Sequence, residues 1–207
     1  MSSDNSDSSK EAEELKGEIE ADQPMTITKN LGLVDKLYEK QQEKFEKMMF
    51  YLECEMNLLV YGVGSKRRIL EKFLYDHPHE EHNSVVVRGY HSGLMPKCIL
   101  TEIAEYIRKE TNKKVQMKGS SRKWSSIGEL VEYIKRQMLV FSEDDTKPIY
   151  VLIHSMDVGV LKGQEWQEML GELTSCKYLR FIISVDNSKS ATLFTDLLLD
   201  QYNFVGV

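Results

Sequence analysis

The chain has 207 residues, 41% of them hydrophobic, with 33 acidic and 27 basic side chains and a formal net charge of −6. That length suits one sizeable domain with a tail, and the composition supports a buried core. The charge excess lies in residues 1–24, where eight acids face only Lys10 and Lys16; the remaining 25 acids and 25 bases balance, which excludes the overall basic footprint of a stand-alone nucleic-acid binder.

Residues 1–28 are rich in Ser, Asp and Glu and lack aromatics, so they predict an unstructured acidic leader that buries too little apolar surface to offset its ordering entropy. From Leu31 the pattern turns helical: Val34, Leu37, Tyr38, Phe45, Met48, Met49 and Leu52 recur near a 3.6 period, predicting an N-terminal helical segment over 29–55. An α/β core over 56–207 follows. Asn57–Tyr61 is a short buried strand running into Gly62-Val63-Gly64-Ser65-Lys66, and a helix with Ile69, Leu70, Phe73 and Leu74 comes next. Ser84–Arg88 is the second strand, ending at Gly89.

Pro96 sits where the first turn of a helix tolerates it, and Ile99, Leu100, Ile103 and Ile107 are that helix's inward stripe. Ser125 or Ser126 caps another, with Glu129 three residues after Ser126 as in a capping box. Ile149–Ile153 is a wholly apolar strand, followed by a helix bearing Trp166, Met169, Leu170 and Leu173. Tyr178–Ser184 is a fourth strand, 191–200 a last helix, and Asn203–Val207 a fifth strand. Strands alternating with helices imply a mainly parallel sheet, and strands apolar throughout imply cover on both faces. The expected fold is a three-layer α/β/α domain.

Cys54, Cys98 and Cys176 are odd in number and far apart, so neither a zinc site nor a disulfide framework is predicted, and the usage fits a reducing compartment. No signal peptide is recognisable, and no apolar run approaches the ~20 residues needed to span a bilayer.

Ligands of such sheets gather beyond the carboxyl ends of the strands, and Gly62–Arg68 lies there, between a strand and a helix start. A phosphate-binding loop requires Gly, any four residues, Gly-Lys, then Ser or Thr. With Lys66 on the lysine of that pattern, Val60 and Ser65 stand at the glycines and Arg67 at the hydroxyl, so three of the four fixed positions fail. A guanidinium has no lone pair for Mg²⁺. Three readings stand: a relic loop with a structural role, weak phosphate binding by Lys66 and the amides, or a plain tight turn. The shape of the motif favours the relic.

The other catalytic positions are also altered. A phosphate-loop ATPase closes its third core strand with acidic residues that hold Mg²⁺ and polarise water. Here that strand ends in His154-Ser155-Met156-Asp157, with Asp157 three residues late and suited to a turn. His154 is expected to be a strand-end histidine satisfied by backbone bonds rather than a general base. Asp186 and Asn187 end the fourth strand, where a polar residue can sense a γ-phosphate or cap a turn. His77, His79 and His82 share a tract with Pro78 that fixes no single helical face, and a surface loop is expected there rather than a metal site. Lys113, Lys114, Lys118, Arg122 and Lys123 make one locally basic connection, suited to DNA phosphates, to an acidic neighbour, or simply to water.

Asn57-Leu58-Leu59-Val60-Tyr61-Gly62-Val63-Gly64-Ser65-Lys66-Arg67 resembles the degenerate phosphate loop of origin recognition complex subunit 2. Val86–Tyr90 with Gly93 resembles that family's second strand and its exit. Leu152–Asp157, then Leu161-Lys162-Gly163, resembles its third strand and turn, and Leu170–Leu173 and Ile182–Asp186 follow in the same order. The resemblance implies an AAA+/RecA-like core that lacks nucleotide-binding capacity and needs no cofactor. It further implies a non-catalytic place in a nuclear ring assembly, beside subunit 3, that encircles origin DNA and helps load the replicative helicase. Family chains normally continue into a winged-helix domain, which is expected to be absent from a chain stopping at Val207. The competing expectations are a divergent phosphate-loop ATPase or kinase, and an adaptor that binds a protein through Leu31–Leu52.

Overall fold

The computed structural model describes residues 31–76, 84–91, 93–115, 124, 126–141, 148–186, 194 and 201–207. The segment expected as one helix over 29–55 forms two, α1 (Leu31–Lys40) and α2 (Gln42–Glu53). Gln41 lies between them with φ −102° and ψ 3°, away from helical values. From Glu39 to Lys44 no apolar side chain ties that turn to a core. The chain divides after Glu39 into two compact units, and the sheet belongs to the second.

That unit contains β1 (Asn57–Tyr61), α3 (Arg67–Asp76), β2 (Ser84–Arg88), α4 (Pro96–Val115), α5 (Ile127–Phe141), β3 (Ile149–His154), a 3₁₀ turn (Gly159–Lys162), α6 (Gln164–Thr174), β4 (Leu179–Val185) and β5 (Phe204–Gly206). The expected capping interaction forms at Ser126, whose Oγ accepts the Glu129 N–H at 3.2 Å. The helix expected over 191–200 lies outside the described residues, except Phe194.

The five strands form one parallel sheet in the order β2-β3-β4-β1-β5. Every residue of β3 and β4 is buried, as strands covered on both faces must be. One face carries Val151, Ile153, Phe181 and Ile183 into a cluster with Ile99, Ile103, Ile134, Trp166 and Leu170 of α4, α5 and α6. Alternation turns Leu152 and Ile182 to the other face, where α2 packs on β1 and α3 on β3. Phe45 of α2 and Phe73 of α3 meet there with ring centroids 5.3 Å apart.

Two polar side chains pin the amino ends of the strands. Buried Asn57 donates from Nδ2 to the Tyr202 carbonyl at 2.8 Å and accepts the Phe181 N–H on Oδ1 at 2.8 Å, tying β1 to β4 and to the approach of β5. Arg180 is buried inside a mostly apolar strand because its guanidinium is spent on carbonyls: Nε donates to Leu52 O at 3.0 Å, closing the end of α2, and Nη1 donates to Leu179 O at 3.0 Å. A buried cation is tolerated only with such partners.

At the carboxyl end, Gly89 is required by contact. Its N–H donates to His154 O at 2.9 Å. A Cβ there would overlap the His154 carbonyl oxygen and come within 2.7 Å of Leu161 Cδ1 and 2.8 Å of Ser155 O. Two of these neighbours are backbone and cannot swing away. Gly89→Ala is therefore expected to destabilise the fold by about 1–3 kcal/mol, the usual cost of overpacking a tight site. Urea unfolding measures this, and a variant as stable as wild type would contradict the packing described.

Candidate functional site

The parallel sheet brings the loop after β1 against the ends of β3 and β4. Gly62 and Gly64 have φ of 136° and 94°, conformations that a side chain strains, so both glycines are needed to shape the loop. Lys66 immediately precedes α3, and its carbonyl accepts the Leu70 N–H at 3.0 Å. Its side chain folds back over the loop. Nζ donates to Gly62 O at 2.7 Å, to Gly64 O at 2.8 Å and to Asp186 Oδ1 at 2.8 Å. An ammonium has three donors, and all three are used within the protein.

Asp186 follows β4, the strand paired with β1. Its Oδ2 accepts the Ser155 hydroxyl at 2.9 Å, and its backbone N–H donates to Asp157 Oδ1 at 3.3 Å. Burial raises the affinity of the Asp186 carboxyl for a proton, but the hydrogen bonds from Lys66 and Ser155 outweigh it and hold the group below its ordinary value. Lys66 and Asp186 are partly exposed, and such a pair contributes only about 0.2–1 kcal/mol to stability. Its significance is therefore geometric: a carboxylate of the protein itself takes the place beside Lys66.

Ser65, Lys66, Arg67, Tyr90, His154 and Asp186 are among the residues lining a cavity of about 170 Å³ at this point. Arg67 donates from Nε to Glu71 Oε1 at 3.1 Å, and its guanidinium carbon lies 5.6 Å from the centre of the Tyr90 ring. Ser155 has φ 52°, and its N–H donates to Ser184 Oγ at 3.1 Å.

Of the residues singled out from sequence, Gly62, Gly64, Ser65, Lys66, Arg67, His154 and Ser155 are thus assembled at one edge of the sheet. Asp157 is buried behind them in a turn, as its position after the strand suggested, and is not among the cavity's lining. The side chains of Lys113, Lys114, Lys118, Arg122 and Lys123 lie outside the described residues, as do His77, His79, His82 and Asn187.

One expectation is corrected. His154 is not satisfied by backbone bonds: the imidazole is 1% exposed, and neither ring nitrogen has a hydrogen-bond partner among the described residues. Nε2 stands 3.6 Å from Glu71 Oε1, beyond a hydrogen bond, because Glu71 is engaged by Arg67. Asp186, weighed from sequence only as a phosphate sensor or turn residue, is instead the hub of the site. Its one sequence signal was a polar residue ending the strand that pairs with β1.

The sequence profile of the origin recognition complex subunit 2 RecA-like domain matches residues 33–207. The chain belongs to this family. It is 30% identical to mouse origin recognition complex subunit 2 over 176 residues, covering 83% of this chain and 27% of the mouse protein. The Saccharomyces cerevisiae subunit 2 is 26% identical over 201 residues, with 82% and 30% covered. The chain therefore spans less than a third of these two relatives. A structure of the Drosophila origin recognition complex bound to DNA contains a chain of similar fold, with TM-score 0.69 and 22% identity over 84% of this chain and 91% of that one. The Aeropyrum pernix ORC1 protein in complex with DNA has TM-score 0.58 at 13% identity, covering 81% of this chain and 44% of that one. The fold is thus that of the RecA-like, AAA+-type domains of origin recognition proteins.

His154 gives the site a pH signature. Burial pushes the imidazole below its ordinary value; Glu71 opposes this, and the Arg67 and Arg88 guanidiniums reinforce it. Below pH 6.5 the unfolded chain binds a proton that the folded chain refuses, so stability falls as pH drops through that value. Urea unfolding at pH 7.5 and 5.5 is expected to show that loss in the wild type and a smaller one in His154→Gln. Equal losses would mean that His154 does not set the dependence.

Proposed function

We propose that this chain is a non-catalytic scaffold of an origin recognition complex. In that role it acts in the nucleus in the initiation of DNA replication, helping to assemble the ring on origin DNA for helicase loading. Family membership supports the assembly, and the relatives' own names supply its context. The neighbour proposed for it is subunit 3.

The absence of turnover is carried by one observation: the Lys66 ammonium is saturated by Gly62 O, Gly64 O and Asp186 Oδ1. In a working phosphate loop the lysine and the amides at the helix start hold phosphate oxygens. Here a nucleotide would have to displace Asp186 from Lys66 and then sit beside its carboxylate, a like-charge contact that disfavours binding. Magnesium fits no better. Arg67 stands at the position of its hydroxyl ligand and is held by Glu71, and Asp157 is turned to the Asp186 backbone. The residues present do not suit a metal–nucleotide pair. The relic loop instead serves structure, with Asp186 as a built-in anion that orders it.

Co-expression of the tagged chain with subunit 3 from the same organism tests the scaffold. A stable complex on size-exclusion chromatography is expected, together with no ATP turnover by the chain alone. Failure of the two chains to associate would remove the proposed neighbour. Turnover abolished by Asp157→Ala would instead favour a divergent phosphate-loop ATPase.

A further inference from the structure

The outer edge of β2 is the second place where the fold offers unmet chemistry. β2 lies at one end of the sheet and pairs only with β3 among the described residues. The Gly89 N–H donates to His154 O, which fixes the alternation: Val85, Val87 and Gly89 direct their backbone groups to β3, whereas Ser84, Val86 and Arg88 direct theirs outward. The Arg88 carbonyl accepts the His91 N–H at 3.1 Å. The N–H and C=O of Ser84 and Val86 have no backbone partner among the described residues, which leaves a two-residue-period row of donors and acceptors. The opposite edge, β5, is only three residues long.

Beside the β2 edge runs a groove of about 310 Å³, with Ser84 and Val86 on the strand side and Thr101, Glu102, Glu105 and Lys109 on the α4 side. The Val86 side chain, in register with Leu152, turns to the opposite face of the sheet and is partly exposed there, so the groove meets Val86 through its backbone. The groove's charges are not equivalent. Glu105 holds Arg108 at 2.6 Å, so Glu102 is the carboxylate left for a newcomer, with the Lys109 ammonium two helical turns further along.

We propose that β2 and α4 form a docking site for an extended peptide segment of a partner protein, added to the sheet as a sixth strand. Backbone pairing with Ser84 and Val86 holds the segment, and alternate side chains enter the groove. A Lys or Arg on the groove face of the segment meets Glu102, and the alternate residues lie beside Val86 on the other face, where small or β-branched side chains fit. Charge favours this occupant: a basic segment neutralises Glu102, the groove carboxylate that Arg108 does not engage.

Panning a library of random 12-residue peptides against the full chain tests the site. Enriched peptides are expected to alternate β-branched with basic residues. Val86→Pro should weaken their binding at least tenfold by fluorescence anisotropy. The Val86 N–H points away from β3, so proline there removes no internal ladder bond and thermal unfolding should be little changed. Glu102→Lys leaves the strand intact and should weaken binding severalfold, which keeps the test decisive if the proline variant folds poorly. Three results would overturn the proposal: no enrichment, peptides that bind both variants as tightly as wild type, or a wild-type dimer in light scattering that Val86→Pro dissociates.

Discussion

A parallel sheet puts the carboxyl ends of all its strands at one edge, and that constraint governs the rest of this structure. The loop after β1 has no freedom to avoid the end of β4, because β1 and β4 are paired from Leu58↔Ile182 to Tyr61↔Val185. Whatever residue follows Val185 must therefore meet the Gly62–Lys66 loop. In this chain it is Asp186, and its carboxylate closes on Lys66. The two glycines at positive φ let the loop curl so that its own carbonyls also reach the ammonium. Packing from the neighbouring strand makes the arrangement stiff: Gly89 leaves no room between the exit of β2 and the carbonyls of His154 and Ser155.

On the proposed reading, the site is a phosphate-loop skeleton whose anion is supplied by the chain itself. A helix start and a lysine attract anions in any fold. Open to solvent, they would draw phosphate; closed by Asp186, they hold a carboxylate of the same chain. A single exposed ion pair contributes little energy, so the change depends on position rather than strength. Arg67 is held beside the loop by Glu71 and by the face of the Tyr90 ring. Burial holds His154 below its ordinary value, and the imidazole has no hydrogen-bond partner among the described residues, the nearby Glu71 being already engaged by Arg67.

Much of this was legible in the sequence, and the reasons are physical. β3 and β4 announced themselves because strands buried on both faces carry few polar side chains. The loop after β1 stood out because two glycines and a lysine lie between a strand and a helix start, which is where the structure has them. Arg180 was passed over within β4, since nothing local says that a guanidinium will reach Leu52 O on α2, 128 residues earlier. The Lys66–Asp186 pair, 120 residues apart, was invisible for the same reason: contacts across strands follow from strand order, and strand order is not written in any one segment. The state of His154 depended on a competitor, Arg67, for the same glutamate. The turn at Gln41 was blurred by a helical period that continues on both sides of it.

The most direct measurement of the central claim is isothermal titration of the chain with MgATP. The closed loop predicts no binding tighter than about 1 mM, equivalent to a standard free energy of about −4 kcal/mol. Micromolar binding that disappears in Lys66→Ala would mean that the ammonium is free to take phosphate, and the account of Asp186 as its permanent partner would be wrong.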